Sequence, residues 1–216
     1  QAIKVTDNGI ARAAVEFGSG DTIDEILVRG QRSGQASAIN QQIEASSLYE
    51  SLAIEISENN LEGGALIAEE IYSEYSESIY ADQARLAMAY FYMSQSRDED
   101  AALELRRLIK SSDNNEMMLI ANMRLAKILL YQSKYQEVID FLEGSLGHAF
   151  ETKFSELIGD AYLGLEDYEN AEFAYMNALK NTGSPQVVDA ALLQMKINDL
   201  PEQNNPSMDT QDESPG

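Results

Sequence analysis

Carboxylates dominate the chemistry open to this chain, with 37 Asp and Glu against 15 Lys and Arg and a single His. Glu156 and Asp160 stand four residues apart, a spacing that puts both on one face of a helix, where they can hold a cation or the basic side chain of a peptide. The plainer reading of such a pair is a solvated acidic face. His148 is the only imidazole and there is no cysteine, so the sequence supplies neither a zinc set nor a thiolate nucleophile nor a disulfide framework. No phosphate-cradling glycine loop, serine elbow or calcium loop is present, and Gly18-Ser19-Gly20 lacks the strand and helix such loops need. The expectation is a protein that is not an enzyme and takes no cofactor, metal or small-molecule substrate. A formal net charge of -22 repels phosphates and anionic headgroups within a Debye length, which argues against nucleic acid as a partner. The acidic surface either serves solubility or favours basic and unfolded cationic partners.

The elements that position these groups announce themselves by a spacing. Small or β-branched residues followed by apolar anchors recur at Ala101, Val138 and Ala171, in steps of 37 and 33 residues, close to the ~34-residue period of arrays of helical hairpins. Apolar residues at helical spacing predict a first helix through Ile43, Leu48, Leu52, Ile54 and Ile56, then one through Leu66, Ile67, Ile71 and Tyr72. Further helices are expected over about 79–93, 98–109, 116–131, 135–143, 151–163 and 168–181, with Asp98 as a cap and a last helix opening near Pro185. The clearest repeat runs Ile158-Gly159-Asp160-Ala161-Tyr162, Gly164-Leu165-Glu166-Asp167-Tyr168, then Ala171, Tyr175 and Ala178. In it Gly159 and Ala171 are small where two helices cross closely, while Tyr162, Tyr168 and Tyr175 fill the wedge between hairpins. Looser copies use Ala89, Tyr92, Ala101 and Leu105; Ala126, Leu129, Tyr135, Val138 and Leu142; and, at the front, Leu52, Ala53, Ile56 and Ala65.

The pattern resembles the tetratricopeptide consensus at most anchor positions, which implies an all-α, tetratricopeptide-like helical-hairpin solenoid. Three segments are expected: an extended or flexible leader over 1–40, the array with its end helix over 41–200, and a disordered tail over 201–216, too poor in apolar residues to offset its ordering entropy. Within the leader, Ile23 to Arg32 alternates like an exposed strand. No stretch reaches the ~18 apolar residues of a membrane span, and the chain opens Gln1-Ala2-Ile3-Lys4 without an initiator methionine, which reads as a mature product or an engineered fragment.

Leu192-Leu193-Gln194-Met195-Lys196-Ile197-Asn198-Asp199-Leu200, placed after the last repeat and Ser184-Pro185, resembles the C-terminal signature of the YfgM family. Asn122-Met123-Arg124-Leu125-Ala126 and Gly159-Asp160-Ala161-Tyr162-Leu163 are similar to its central and later helices. The resemblance implies a periplasmic scaffold ancillary to the SecYEG translocon, anchored in the inner membrane in the full-length family. Its implied partners are the translocon, a membrane-anchored periplasmic prolyl isomerase, and secreted or outer-membrane client segments passed on with chaperones. The front departs from that family, because residues 1–40 hold no membrane helix. Asp24 to Arg32 is instead similar to the TonB-box region of TonB-dependent receptors, which leaves a fused receptor segment and an unrelated leader as alternatives. On the fused reading Ile26, Leu27, Val28 and Arg29 are a tethered ligand, and the chain is an envelope assembly scaffold that binds receptor N-termini. Counting turns puts Tyr90, Met93, Met123, Lys127, Tyr131, Glu156 and Asp160 on the inner helices of the array. Flexible Met and amphipathic Tyr there suit a groove for partner segments.

Overall fold

Among the described residues four other than glycine hold a positive φ, and they fall in register: Asn59 at 58°, Ser96 at 56°, Ser133 at 57° and Glu166 at 62°, in steps of 37, 37 and 33 residues. Each closes a helix in the same way. The amide of the left-handed residue bonds the carbonyl three residues back, and the next amide bonds the carbonyl five back. The bonds are Asn59 to Ile56 and Asn60 to Glu55, Ser96 to Met93 and Arg97 to Tyr92, Ser133 to Leu130 and Lys134 to Leu129, Glu166 to Leu163 and Asp167 to Tyr162, all between 2.9 and 3.1 Å. This double bond satisfies the end carbonyls of a helix and reverses the chain within two residues. The backbone therefore repeats as the apolar anchors do.

The computed structural model describes residues 23–144, 150–180 and 189–201, with side chains from 34 onward. Among the described residues there are nine helices and no strand: α1 Ile23–Ser57, α2 Leu61–Glu74, α3 Ile79–Ser94, α4 Asp98–Ser111, α5 Asn115–Tyr131, α6 Tyr135–Glu143, α7 Glu151–Gly164, α8 Tyr168–Lys180 and α9 Ala190–Asn198. His148, Pro185, the tail from 202 and residues 1–22 of the leader lie outside the described residues. The chain divides into two compact units, one ending at Ala84 and the other beginning at Arg85.

In the first unit α1 packs on α2 through Ala45 and Leu52, both without exposure, opposite Ala68 and Ile71. Tyr49 and Tyr80 meet at 5.8 Å between ring centroids, Ser78 donates to Gln42 at 2.9 Å and Tyr75 to Glu44 at 3.1 Å. Two expectations change here. Ile43 and Ile54, assigned to the buried stripe, are 61% and 57% exposed, because the stripe follows Ala45, Tyr49, Leu52 and Ile56 instead. And the segment read as an extended strand over Ile23 to Arg32 is helical, the opening of α1. Its Ile23, Ile26 and Leu27 fit a helical spacing as well as an alternating one, and no proline interrupts the chain before Pro185.

The second unit stacks α3 from Arg85 onward with α4 to α9 around one large core in which Ala101, Leu105, Leu108, Leu125, Ala126, Leu129, Val138, Leu142, Phe154 and Ala161 are at most 1% exposed. A smaller cluster of Ala171, Tyr175, Ala178 and Leu193 joins α8 to α9. Asp98 does not cap α4: the cap position is Arg97, which follows directly on the left-handed Ser96, and Asp98 falls inside the first turn. Elsewhere caps are built as the residue types suggest, with Asn60 accepting from Gly63, Asn114 from Glu116 and Met117, and Asp189 from Ala191 and Leu192.

Candidate functional site

Counted from the left-handed turns, the anchors occupy equivalent places. Five residues after each turn stand Gly64, Ala101, Val138 and Ala171, all buried. The front copy is thus set by Gly64, one residue before the Ala65 of the sequence reading. Seven before and nine after stand Leu52 and Ala68, Ala89 and Leu105, Ala126 and Leu142, Gly159 and Tyr175, each pair one larger and one smaller. In the last pair Gly159 lies flat against the Tyr175 ring, where an added Cβ would meet Cε1 at 2.4 Å.

The same count sorts the candidate groove residues, all of them on the first helix of a hairpin. Six before the turn stand Tyr90, Lys127 and Asp160, and ten before stand Leu86, Met123 and Glu156. Tyr90 is 70% exposed and Tyr131, two before its turn, 75% exposed, while Lys127 is also open to solvent. Met93 and Met123 are half-buried against the core. Arg124, beside Met123, reaches back to bond the carbonyl of Leu86 at 3.2 Å, tying α5 to α3. Ile26, Leu27, Val28 and Arg29 lie on the helical backbone of α1, with their side chains outside the described residues.

At α7 the face is closed. Glu156, 5% exposed, is bound by Lys153 of its own helix and by Lys196 of α9 at 3.0 Å. Lys196 also bonds Asp160 at 2.6 Å and stands 5.4 Å from the centre of the Tyr175 ring, whose hydroxyl donates to Asp160 at 2.8 Å. Burial pushes the Glu156 carboxyl up, but the two ammonium groups outweigh it and hold the carboxyl below its ordinary range. Burial likewise pulls Lys196 down, and Asp160 and Glu156 more than reverse it. Tyr175 is raised, first by burial and then by the Asp160 charge. So the acidic pair does grip a basic side chain, and that side chain belongs to the chain itself. Neither a solvated face nor an open cation site describes it. The sequence placed Glu156 and Asp160 correctly on one face and missed Lys196 and Tyr175 as their partners. The only available signal was a lone lysine in an otherwise uncharged stretch, Ala190 to Asn198.

A second buried carboxylate, Glu104 on α4, is 6% exposed and accepts from Arg85 of α3 at 2.9 Å and from Arg107 at 2.8 Å. It sits where hairpins on either side carry Ile67, Phe141 and Ala174.

Residues 26–202 match the family described as tetratricopeptide repeat-like domain. The chain belongs to this family. Its tetratricopeptide-like relatives include proteins named ancillary SecYEG translocon subunit. The one from Escherichia coli (strain K12) is 23% identical over 72% of this chain and 74% of its own length. That from Neisseria gonorrhoeae (strain ATCC 700825 / FA 1090) is 27% identical over 77% and 79%. That from Buchnera aphidicola subsp. Acyrthosiphon pisum (strain APS) is 22% identical over 78% and 85%. The resemblance read from the end helix and the central helices thus agrees with these relatives. The tetratricopeptide-like match opens at residue 26, within α1. Among the described residues no helix is long and apolar enough to cross a membrane.

Proposed function

We propose that this chain is a non-catalytic scaffold that works beside the SecYEG translocon in the periplasm, tethered to the inner membrane and holding translocating or chaperone-bound segments near the exit site. The observation that carries the reading is the row six residues before each turn. Tyr90 and Lys127 stand there on successive hairpins, open to solvent, with Tyr131 exposed a turn beyond. Stacking of the hairpins asks nothing of these positions, since the core closes through the anchors five after and seven before the turns. Exposed tyrosines beside a lysine offer apolar area with hydrogen-bonding tips, the composition enriched at protein interfaces. The names of the curated relatives supply the partner, and weak contacts at several sites along one face hold a partner by avidity. On this reading the prolyl isomerase and client segments use the same face.

Binding of the purified chain to detergent-solubilised translocon tests it. Replacing Tyr90 and Tyr131 by Ser and Lys127 by Glu together is expected to weaken binding at least tenfold with the helical content unchanged. Equal binding by the folded triple variant overturns the assignment of this face.

A further inference from the structure

We propose that α9 is a removable cap, which docks on α8 through Leu193 and closes the acidic pair of α7 with Lys196, and vacates this seat for a partner helix carrying a lysine between apolar residues. The proposal rests on the reading of the chain as a scaffold for partner segments, and adds what regulates the end of the array and what that end selects.

The seat is held together without the cap. Lys153 of α7 binds Glu156, and the Tyr175 hydroxyl binds Asp160, so both carboxylates keep their positions and part of their charge compensation when Lys196 is absent. Gly159 lets the Tyr175 ring lie against α7 and form one wall of the seat. The cap is not held together without the seat. α9 has nine residues, well short of the ~12–15 at which an isolated helix becomes even marginal, and among them only Leu193 is fully buried. Its docked side is Leu193, Lys196 and Ile197, followed by Leu200. On its other side Leu192 and Met195 remain 45% and 60% exposed.

Selectivity follows from the register. The two positions that grip Lys196 carry Leu86 with Tyr90 and Met123 with Lys127 on the preceding hairpins. Of these three hairpins only the last presents two carboxylates, while Leu86 is buried and Met123 half-buried on the other two, so a lysine-bearing helix is matched at the last. A net charge of -22 favours the approach of a basic helix and disfavours an acidic one. α9 shows the fit: Leu, then Lys three residues on, Ile directly after it and Leu four after the Lys.

The experiment uses the whole chain and a fluorescent peptide of residues 189–201. Two variants release the cap, Lys196→Glu by charge and Leu193→Asp by removing its apolar foothold. Release is verified by loss of amide protection over 190–198 with α5 to α8 still protected. The released variants are expected to bind the peptide at least tenfold more tightly than the unaltered chain. That gain disappears when the peptide lysine is replaced by Ala, or when Asp160→Asn is added to the protein. If the cap is released, the rest is folded and the peptide binds no better, α9 is a fixed part of the fold and the proposal fails. Concentration-dependent dimers of the unaltered chain formed by exchanging α9 overturn the choice of a partner helix in favour of a second copy. The readout needs no translocon, so its failure is separate from a failure of the face marked by Tyr90 and Tyr131.

Discussion

Replacing Gly159 by Ala adds one carbon where the structure leaves no room. The new Cβ would lie 2.4 Å from Cε1 and 2.5 Å from Cδ1 of Tyr175, whereas carbon atoms rest at about 3.5–4.0 Å. Either helix α7 or the ring must therefore move by about an ångström. The ring has no easy way out: Tyr175 has no exposure and its hydroxyl is fixed to Asp160 at 2.8 Å. Overpacking of this kind costs about 1–3 kcal/mol. Alanine's preference for helix over glycine returns about 0.8–1 kcal/mol. The expected net loss is about 0–2 kcal/mol, a fall in Tm of up to roughly 8 °C for a domain of this size. Gly144 is the control, since a Cβ there meets nothing within 4 Å and its φ of -70° suits any residue. Gly144→Ala should be neutral or stabilise by about 0.4–1 kcal/mol through the unfolded chain. Thermal and urea unfolding followed by circular dichroism measure both. Shrinking the ring in a Gly159→Ala, Tyr175→Leu double variant should make the two losses less than additive. A Gly159→Ala variant more stable than the unaltered chain, or additive losses in the double variant, would refute the packing argument.

Two further outcomes follow from the charges. Glu104→Ala should cost about 2–3 kcal/mol, because it strips a buried carboxylate from between Arg85 and Arg107; Arg107→Ala, whose own side chain is 50% exposed, should cost about 0–1 kcal/mol in the same urea titration. The docking of α9 should depend on pH only at the extremes. Glu156 is held below its ordinary value, so its share of stability is full above the carboxylate range and is lost as pH falls through the lowered value; Lys196 is held above its own, so its share is full below the ordinary lysine range and is lost as pH rises past the raised value. Amide protection over 190–198 is expected to be flat between about pH 6 and 9 and to fall on either side, and a loss centred near neutrality would contradict the ion-pair assignment.

The helices were legible because their signals are local. Ala101, Val138 and Ala171 mark a buried position directly, and Asn60 and Asn114 are cap types in cap places, whereas the last helix, expected to open near Pro185, is α9 from Ala190, capped by Asp189. Glu166 and Ser133 carry no hint that they take a left-handed backbone, since neither is a glycine or asparagine; the tertiary stack fixes them there. The front of the array was misread for a related reason. Gly64 and Ala65 are both small, and only the turn at Asn59 decides which of them faces the core. At Ile23 to Arg32 the apolar residues fit two periods at once, and nothing local arbitrates. The acidic pair on α7 was visible as a pair, but Lys196 lies 36 residues beyond Asp160, so its partnership is a product of folding alone.

On the first helices the exposed side chains Tyr90, Lys127 and Tyr131 are free of the demands that shape the core. An array of this kind closes if the positions seven before, five after and nine after each turn fit one another, and in all four hairpins they do. The position six before the turn varies without disturbing that fit, through Tyr90 and Lys127 to Asp160, whereas the position ten before belongs to the packing as Leu86 and Met123 and is buried as Glu156. An exposed tyrosine such as Tyr90 gains nothing from folding, and two carboxylates four residues apart repel each other unless a cation joins them. At the last hairpin that cation is present and its geometry is visible: an ammonium at 2.6 Å and 3.0 Å from two carboxylates, beside an aromatic ring, on a helix anchored by one buried leucine. A helix is thus held at the end of the array by one charged contact set on α7 and one apolar cluster on α8. With Tyr90, Lys127 and Tyr131 the preceding hairpins offer contacts of different chemistry, and under the proposed function a partner is read hairpin by hairpin.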